Sequence, residues 1–238
     1  MAGHSKWANI RHKKSREDAK RGKAFTKLIK EITVAARQGG GDPDSNPRLR
    51  LLIDKAKNIN MPKENIIRGI KKGTGELPGI QYEAMQYEGY GPHGVAILVE
   101  TLTDNKNRTV ADLRHLFSSK GGNLGETGSV NWMFQHHGVV RAEIPGLSED
   151  DLFEKLIDFD VVDITKDENL FSIVCEIKSL DAIKKTVEKL GFTVQSAELE
   201  WVPKNGTTLP ENQAEKVYEF LSLLDDHDDV QNVYTNLA

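Results

Sequence analysis

The hydrophobic pattern of this chain changes near residue 76, and the sign of its charge changes at the same place. Before that point apolar residues recur every three or four positions, as in amphipathic helices, and beyond it short apolar runs alternate with helical stretches. Residues 1–75 carry 19 Lys and Arg against 7 Asp and Glu, whereas the rest carry 13 against 29. The total charge of −4 therefore conceals one basic and one acidic part. Such an asymmetry is typical of a protein that contacts phosphates with one domain.

Length and composition set the class of protein. A chain of 238 residues has room for two or three small domains, and 38% hydrophobic with 29% charged residues fits a folded globular protein. No apolar stretch approaches the roughly 20 residues that span a bilayer, and a single cysteine, Cys175, excludes an internal disulfide. We expect a cytoplasmic protein without a membrane partner.

The basic part is predicted to form three helices. The first runs from Ser15 to Arg37, and the second and third begin at Asn46-Pro47 and Met61-Pro62, where proline suits the first turn. One face of the first helix is apolar and is expected to close a small bundle with the other two. The opposite face carries five cations at alternating spacings of four and three: Arg16, Lys20, Lys23, Lys27 and Lys30. We expect this face to bind phosphates.

A basic arm precedes the first helix. It contains the cations and histidine His4, Lys6, Arg11, Lys13 and Lys14, together with Trp7. The indole of Trp7 offers either a stacking surface for a base or an apolar contact with the bundle, and the sequence leaves both open. We interpret these cations as phosphate-binding for three reasons together: the basic arm, the stripe of five cations on one face of the first helix, and the excess of positive charge in the domain.

The acidic part predicts an α+β fold of two α/β domains. Residues 137–203 show the order βαββαβ, which is that of a ferredoxin-like domain. Residues 77–136 are predicted to follow the order ββαβ, with the last strand from Val130 to Gln135. They lack a closing helix and strand, which residues 204–238 supply. The ferredoxin-like domain is therefore predicted to be inserted into a discontinuous one, and residues 1–76 form the separate basic helical domain.

Several strings resemble ligand sites, but their context argues against them. Gly89 to Gly94 satisfies GxGxxG, yet a β-branched run follows it, so we expect a hairpin turn instead of a dinucleotide site. Asp42, Asp44 and Asn46 begin like a calcium loop that lacks its glycine and glutamate. The segment from Gly69 to Gly73 lacks the GK[ST] ending of a P-loop.

Other polar clusters are also expected to be structural. His136-His137 reads as a turn, and the segment 225–229 (DDHDD) as a solvated loop. Lys106 and Arg108 follow a strand and open a helix, so they are candidates for a second phosphate contact, with a capping loop as the alternative. No nucleophile, base and orienting residue show a catalytic spacing. We therefore expect no catalytic residues, no metal site and no cofactor.

Three stretches carry a resemblance to a known family: MAGHSKWANIRHKK, then DAKRGKAFTKLIKEITVAARQGGGDPDSNPRLRLLIDKAKNINMPKENIIRGIKKGTGE, and YEGYGPHGVAILVETLTDNKNRTVADLRHLFSSKGGNLGETGSV. Together they closely resemble the YebC/PmpR family, and the likeness extends to the end of the chain. The resemblance implies the three-domain layout and a probable DNA-binding transcriptional regulator. Mitochondrial relatives resemble translational activators, and a bacterial branch resembles ribosome-associated factors that relieve stalling.

The leading hypothesis is thus a non-enzymatic regulator of gene expression that binds nucleic acid through its basic domain. Transcription regulation on DNA leads, and a translation factor bound to rRNA in ribosomes is the alternative. Two hypotheses come from other functional classes. One is an enzyme with a pocket near Lys106 and His115, and the other is a protein-interaction scaffold. The acidic domains would face outward or meet a basic protein partner.

Overall fold

A computed structural model describes Trp7 and residues 18–238, with the side chains of the first helix described from Gly22 onward. The helices are α1 (Asp18–Gly39), α2 (Pro47–Asn58), α3 (Lys63–Thr74), α4 (Lys106–Ser119), α5 (Glu149–Lys155), α6 (Leu180–Lys189) and α7 (Glu211–Asp225). The strands are β1 (Glu83–Tyr90), β2 (Ala96–Thr103), β3 (Asn123–Leu124), β4 (Phe134–Glu143), β5 (Val161–Asp167), β6 (Leu170–Cys175), β7 (Thr193–Pro203) and β8 (Val230–Thr235). Among the described helices, none combines the length and apolarity that crossing a membrane requires.

Helices α1, α2 and α3 form the predicted bundle. Their apolar faces meet in one core that includes Leu28, Ile32, Leu49 and Ile66. Asn46 joins α1 to α2: its side-chain oxygen accepts from the Leu49 N–H at 3.1 Å, and its amide nitrogen donates to the Ala35 and Gly40 carbonyls, both at 2.9 Å. One buried amide therefore caps the start of α2 and satisfies carbonyls at the end of α1.

Two glycines let α3 approach α1 closely. A Cβ added at Gly73 would lie 2.4 Å from the Thr33 carbonyl oxygen and 2.7 Å from Ala36 Cβ, and one at Gly69 would lie 3.2 Å from Ile32 Cγ2. The glycines of the string from Gly69 to Gly73 are thus required by helix packing. The prediction that this string is not a phosphate loop agrees with its position inside α3.

The first sheet has the strand order β3-β1-β2-β8, and α4 and α7 pack on one of its faces. The pairs β1–β2, β1–β3 and β2–β8 are all antiparallel. The string from Gly89 to Gly94 forms the hairpin between β1 and β2, as predicted, with His93 and Gly94 at positive φ.

The second sheet has the order β5-β6-β4-β7, with every neighbouring pair antiparallel. Helices α5 and α6 cover one face, and the predicted core residue Cys175 is buried there. This is the ferredoxin-like arrangement expected from the βαββαβ order. The mixed α+β fold with an N-terminal helical region is therefore confirmed, whereas the domain boundaries at residues 76, 136 and 203 stay predictions.

Two local expectations were wrong. The strand predicted from Val130 to Gln135 is a 3-10 turn over Asn131–Met133 followed by the start of β4, and the third strand of the first sheet is β3 instead. His136 and His137 lie within β4, paired with Trp201 and Glu200, and not in a turn. The apolar run that begins at Val130 misled because only its last two residues, Phe134 and Gln135, belong to β4.

Replacing Gly73 by Ala tests the close helix contact. We expect a loss of about 1–3 kcal/mol in the free energy of unfolding, because the methyl group has backbone on one side and cannot be accommodated without a shift of α3. The measurement is urea denaturation followed by circular dichroism. Gly22→Ala is the matched control, since nothing lies within 4 Å of its added Cβ, and it should stabilise α1 by about 0.5–1 kcal/mol. Equal effects at the two positions would contradict the packing role.

Candidate nucleic-acid interface

From Lys23 onward, the lysine stripe of α1 lies against another part of the chain. Lys23, Lys27 and Lys30 point at the segment that follows α7, residues 225–229. Lys23 Nζ donates to the Asp226 carbonyl at 3.0 Å, and Lys27 Nζ donates to the Asp225 carbonyl. These carbonyls end α7, where no next turn of helix supplies an N–H and the helix dipole is negative. The lysines of one helix therefore cap the C-terminus of another.

Asp229 is the centre of this contact. The residue is 3% exposed, and its carboxylate accepts from Lys30 Nζ at 2.9 Å, Arg108 Nη2 at 2.8 Å and the Thr109 hydroxyl at 2.8 Å. Burial by itself raises the pKa of Asp229, but the hydrogen bonds from Arg108, Lys30 and Thr109 outweigh it and hold the pKa well below its ordinary value. We call Lys23, Lys27, Lys30, Arg108 and the segment 225–229 the clamp, because they join the bundle to the first sheet.

The clamp borders an open cleft of about 750 Å³. Lys23, Lys30 and Arg108 line it, together with several carboxylates that include Asp104, Asp112 and Asp228. Since the carboxylates outnumber the cations and already pair with them, this cleft gives a polyanion no net attraction.

The clamp concerns two expectations, that the stripe binds phosphates and that the segment 225–229 is a solvated loop. Within the stripe, Lys30 is buried against Asp229, and Lys27 Nζ lies 3.8 Å from Asp225 Oδ1. The segment 225–229 is not a solvated loop, since Asp229 is buried and the carbonyls beside it accept from lysines. In this conformation, the sequence-predicted phosphate contacts of α1 from Lys23 onward are engaged within the chain.

Arg108 and Lys106 also meet carboxylates of the chain itself. Arg108 bridges Asp104 at 2.9 Å and Asp229 at 2.8 Å, and Lys106 Nζ lies 3.6 Å from Glu83 Oε2. Asn105 accepts from the Arg108 N–H and so caps α4. These contacts are those of the capping loop, which was the alternative to a second phosphate contact.

Trp7 belongs to the core of the first sheet. It is 1% exposed, its Nε1–H donates to the Val233 carbonyl at 3.0 Å, and its ring stacks on Tyr218 with centroids 6.5 Å apart. Neither predicted alternative describes it. Trp7 packs on β8 and α7, so its ring is not available to stack on a base and is not part of the bundle core. The remaining predicted site residues, His4, Lys6, Arg11, Lys13, Lys14 and Arg16, lie outside the described residues, as does the side chain of Lys20.

Most exposed cations of the described bundle lie on α2 and α3. On α3, Lys63, Arg68, Lys71 and Lys72 lie outside the buried face of Ile66, Gly69 and Gly73; the first three are exposed and Lys72 is half-buried. We call these four residues the α3 cation face. Within the described part of the chain, no carboxylate pairs with Lys63, Lys71 or Lys72, and Arg68 donates to the neutral Asn65 side chain. The helix holds one carboxylate, Glu64.

Two arginines of α2 extend the supply of exposed cations. Arg48 donates to the Gln38 side chain at 3.1 Å, and Arg50 donates to the Pro43 carbonyl at 3.4 Å, so both partners are neutral. The α3 cation face was not predicted from the sequence. Ile67, which is 41% exposed, lies one turn from both Lys63 and Lys71, so α3 lacks the separation of cations from apolar residues that singled out the stripe of α1.

The chain is similar to proteins of one family along nearly its whole length. Residues 5–76 match the family described as "TACO1/YebC protein N-terminal domain", and residues 82–237 match "TACO1/YebC second and third domain". A protein of Persephonella marina named a probable transcriptional regulatory protein is 54% identical, covering 99% of this chain and 95% of its own length. One of Chlorobaculum tepidum with the same description is 50% identical, covering 100% of this chain and 95% of its own.

A solved structure shares the fold. The conserved hypothetical protein Aq1575 of Aquifex aeolicus aligns with a TM-score of 0.84 and 44% identity, over 93% of this chain and 91% of its own length. The arrangement of bundle and two sheets is therefore one that a related sequence also adopts.

Replacing Asp229 by Asn tests the clamp. We expect a loss of about 3 kcal/mol in the free energy of unfolding, because the buried Lys30 loses its counter-ion while its ammonium stays desolvated. Asp54→Asn is the matched control: Asp54 pairs with Lys57 at 3.0 Å on the surface, and its loss should cost below about 1 kcal/mol. Similar losses in the two variants would show that the clamp contributes no more than a surface ion pair.

The clamp also predicts a pH dependence. Because the folded pKa of Asp229 is lowered, its ionised form stabilises the fold fully above the unfolded value of about 3.9, and this contribution is lost as the pH falls through the folded pKa. The difference in unfolding free energy between wild type and Asp229→Asn should therefore shrink below about pH 4. Urea titrations at several pH values measure it. A difference that stays constant down to pH 2 would contradict the lowered pKa.

Proposed function

The chain belongs to the TACO1/YebC family, and from this premise we propose that it is a DNA-binding regulator of transcription that contacts nucleic acid through its helical bundle. The naming of its relatives as probable transcriptional regulatory proteins supports a regulatory role. The contact with nucleic acid and the residues that make it are our proposal.

The α3 cation face carries this proposal. Its ammonium and guanidinium groups have no carboxylate partner among the described residues, unlike those of the clamp. Cations without a carboxylate partner gain the most binding free energy from a phosphate backbone, because each contact releases a condensed counter-ion. The acidic sheets repel the same polymer and so favour an approach that puts the bundle nearest to it.

The kind of contact suggests recognition of the backbone. Lysine makes a point-charge contact with phosphate, which positions a protein on nucleic acid without reading base edges. Lys63, Lys71 and Lys72 therefore favour affinity over sequence selection. A regulator built in this way would take its specificity from nucleic-acid shape or from a second contact.

A ribosome-associated role in translation is the second candidate, because backbone contacts by lysine suit rRNA as well as DNA. Sedimentation through sucrose gradients separates the two roles. Co-migration with ribosomal particles that survives DNase but not RNase treatment would favour translation. A protein that stays at the top of the gradient and binds duplex DNA would favour transcription.

Reversing the charge of Lys63, Arg68 and Lys71 to Glu tests the proposal. We expect affinity for duplex DNA to fall on the order of 100-fold at 0.15 M salt and the slope of log affinity against log salt to become shallower by about 2.7, for three lost phosphate contacts. Fluorescence anisotropy with a labelled duplex at several salt concentrations measures both quantities. The three side chains are exposed, so the melting temperature should change little.

Arg114, Lys120 and Lys189 provide the matched control. They are exposed, lie outside the bundle, and their reversal to Glu makes the same change in net charge. This variant should keep most of the affinity, apart from a general electrostatic loss. Equal losses in the two triple variants would mean that only net charge matters, and unchanged binding in the bundle variant would refute the proposed interface.

A further inference from the structure

Trp132 leaves a large aromatic ring in solvent. The residue is 64% exposed and lies in the 3-10 turn Asn131–Met133, between β3 and β4. Its exposure contrasts with Trp7, which is buried, and with Trp201, whose ring stacks on His136 with centroids 4.9 Å apart. An exposed indole costs free energy in water, and a contact with a ligand would recover it.

The turn holds this ring in a fixed place. Trp132 Nε1–H donates to the Ser129 carbonyl at 3.2 Å, so the polar edge of the indole is satisfied within its own loop. Lys204 Nζ donates to the Trp132 carbonyl at 2.8 Å, and the Lys204 N–H donates to the Met133 carbonyl at 2.9 Å. The ring is therefore anchored at its edge and through its backbone, and a lysine ammonium lies at the carbonyl of the same residue.

A buried carboxylate organises the loop that precedes the ring. Glu88 is 3% exposed and accepts from the N–H groups of Gly128 at 2.8 Å, Val130 at 2.8 Å and Asn131 at 2.7 Å. Burial by itself raises the pKa of Glu88, but these three hydrogen bonds outweigh it, so the net pKa lies below its ordinary value. The Tyr90 hydroxyl adds a bond to the Ser129 carbonyl at 3.2 Å. Such preorganisation lowers the entropy cost of binding at the loop.

The surroundings favour a nucleobase over a protein pocket. The exposed residues next to Trp132 along the chain are polar, charged or glycine, and they include Glu126, Thr127 and Gln135, while the Lys204 ammonium binds the Trp132 carbonyl. A protein interface centred on a tryptophan surrounds it with apolar contacts. A stacked base needs one aromatic face and a cation for the neighbouring phosphate, and Trp132 with Lys204 supplies both.

We propose that Trp132 is a stacking platform for an unpaired nucleobase, with Lys204 against the adjoining phosphate. The proposal rests on the proposed function, which is nucleic-acid binding, and adds a class of ligand: a single-stranded stretch of DNA or RNA. Bases stacked within a duplex do not present a face to an indole, so Trp132 discriminates single strands from duplexes.

The test is Trp132→Ala against two probes, a 12-nucleotide uridine strand and a 12-base-pair duplex, both labelled for fluorescence anisotropy. The variant should bind the single strand roughly 5- to 100-fold more weakly, which corresponds to the loss of one stacked base. Its affinity for the duplex should change less than about 2-fold. Trp132→Phe should restore most of the single-strand affinity because it keeps an aromatic face. In the wild type the uridine strand should quench tryptophan emission, and this quenching should be lost in Trp132→Phe.

Ile157→Ala is the control, because Ile157 is 68% exposed and truncating it removes a comparable exposed apolar side chain elsewhere. It should leave both affinities unchanged. If the wild type binds neither probe, the proposed function fails and this inference fails with it. If the wild type binds and Trp132→Ala binds the single strand equally well, or loses both probes alike, the stacking site alone is overturned.

Discussion

A lysine ammonium placed against the end of a helix is the contact on which the arrangement of this molecule depends. Lys23 and Lys27 of α1 bind the last carbonyls of α7, and Lys30 binds the buried carboxylate of Asp229, the last residue of the segment 225–229. A dipole end and a desolvated carboxylate both attract cations, and here they attract cations from the same helix. The bundle is thereby held on the first sheet. In this orientation of the bundle, the exposed positive charge is supplied by α3 and α2 and not by the clamp side of α1.

Much of the fold could be predicted from local patterns. The period of apolar residues indicates α1 to α3, and the order of strands and helices indicates the ferredoxin-like sheet, because both signals depend on neighbours a few residues apart. Even the completion of the first sheet by β8 could be inferred, because residues 77–136 lacked the helix and the strand that would close an α/β domain. The failure at Val130 to Gln135 has the same origin: an apolar run marks a strand without showing where a long strand begins.

The site was harder to predict because its partners are distant in sequence. Lys30 and Asp229 are 199 residues apart, and Trp7 and Val233 are 226 apart, so no window along the chain shows that they pair. A cationic stripe looks the same whether it meets a phosphate or the chain's own carbonyls. The sequence does show the excess of positive charge in the first 75 residues. Only a part of this charge is engaged in contacts within the chain. The α3 cation face, together with Arg48 and Arg50 of α2, is part of the described remainder.

The burial of Trp7 in the core of the first sheet has a consequence for biosynthesis. That core joins Trp7 to Val233 and Leu237, so it cannot close until these residues have left the exit tunnel. The second sheet uses only residues 134–203 and can assemble while the nascent chain is still growing. Trp7 is thus synthesised before the second sheet but docks in the core of the first sheet only when β8 arrives.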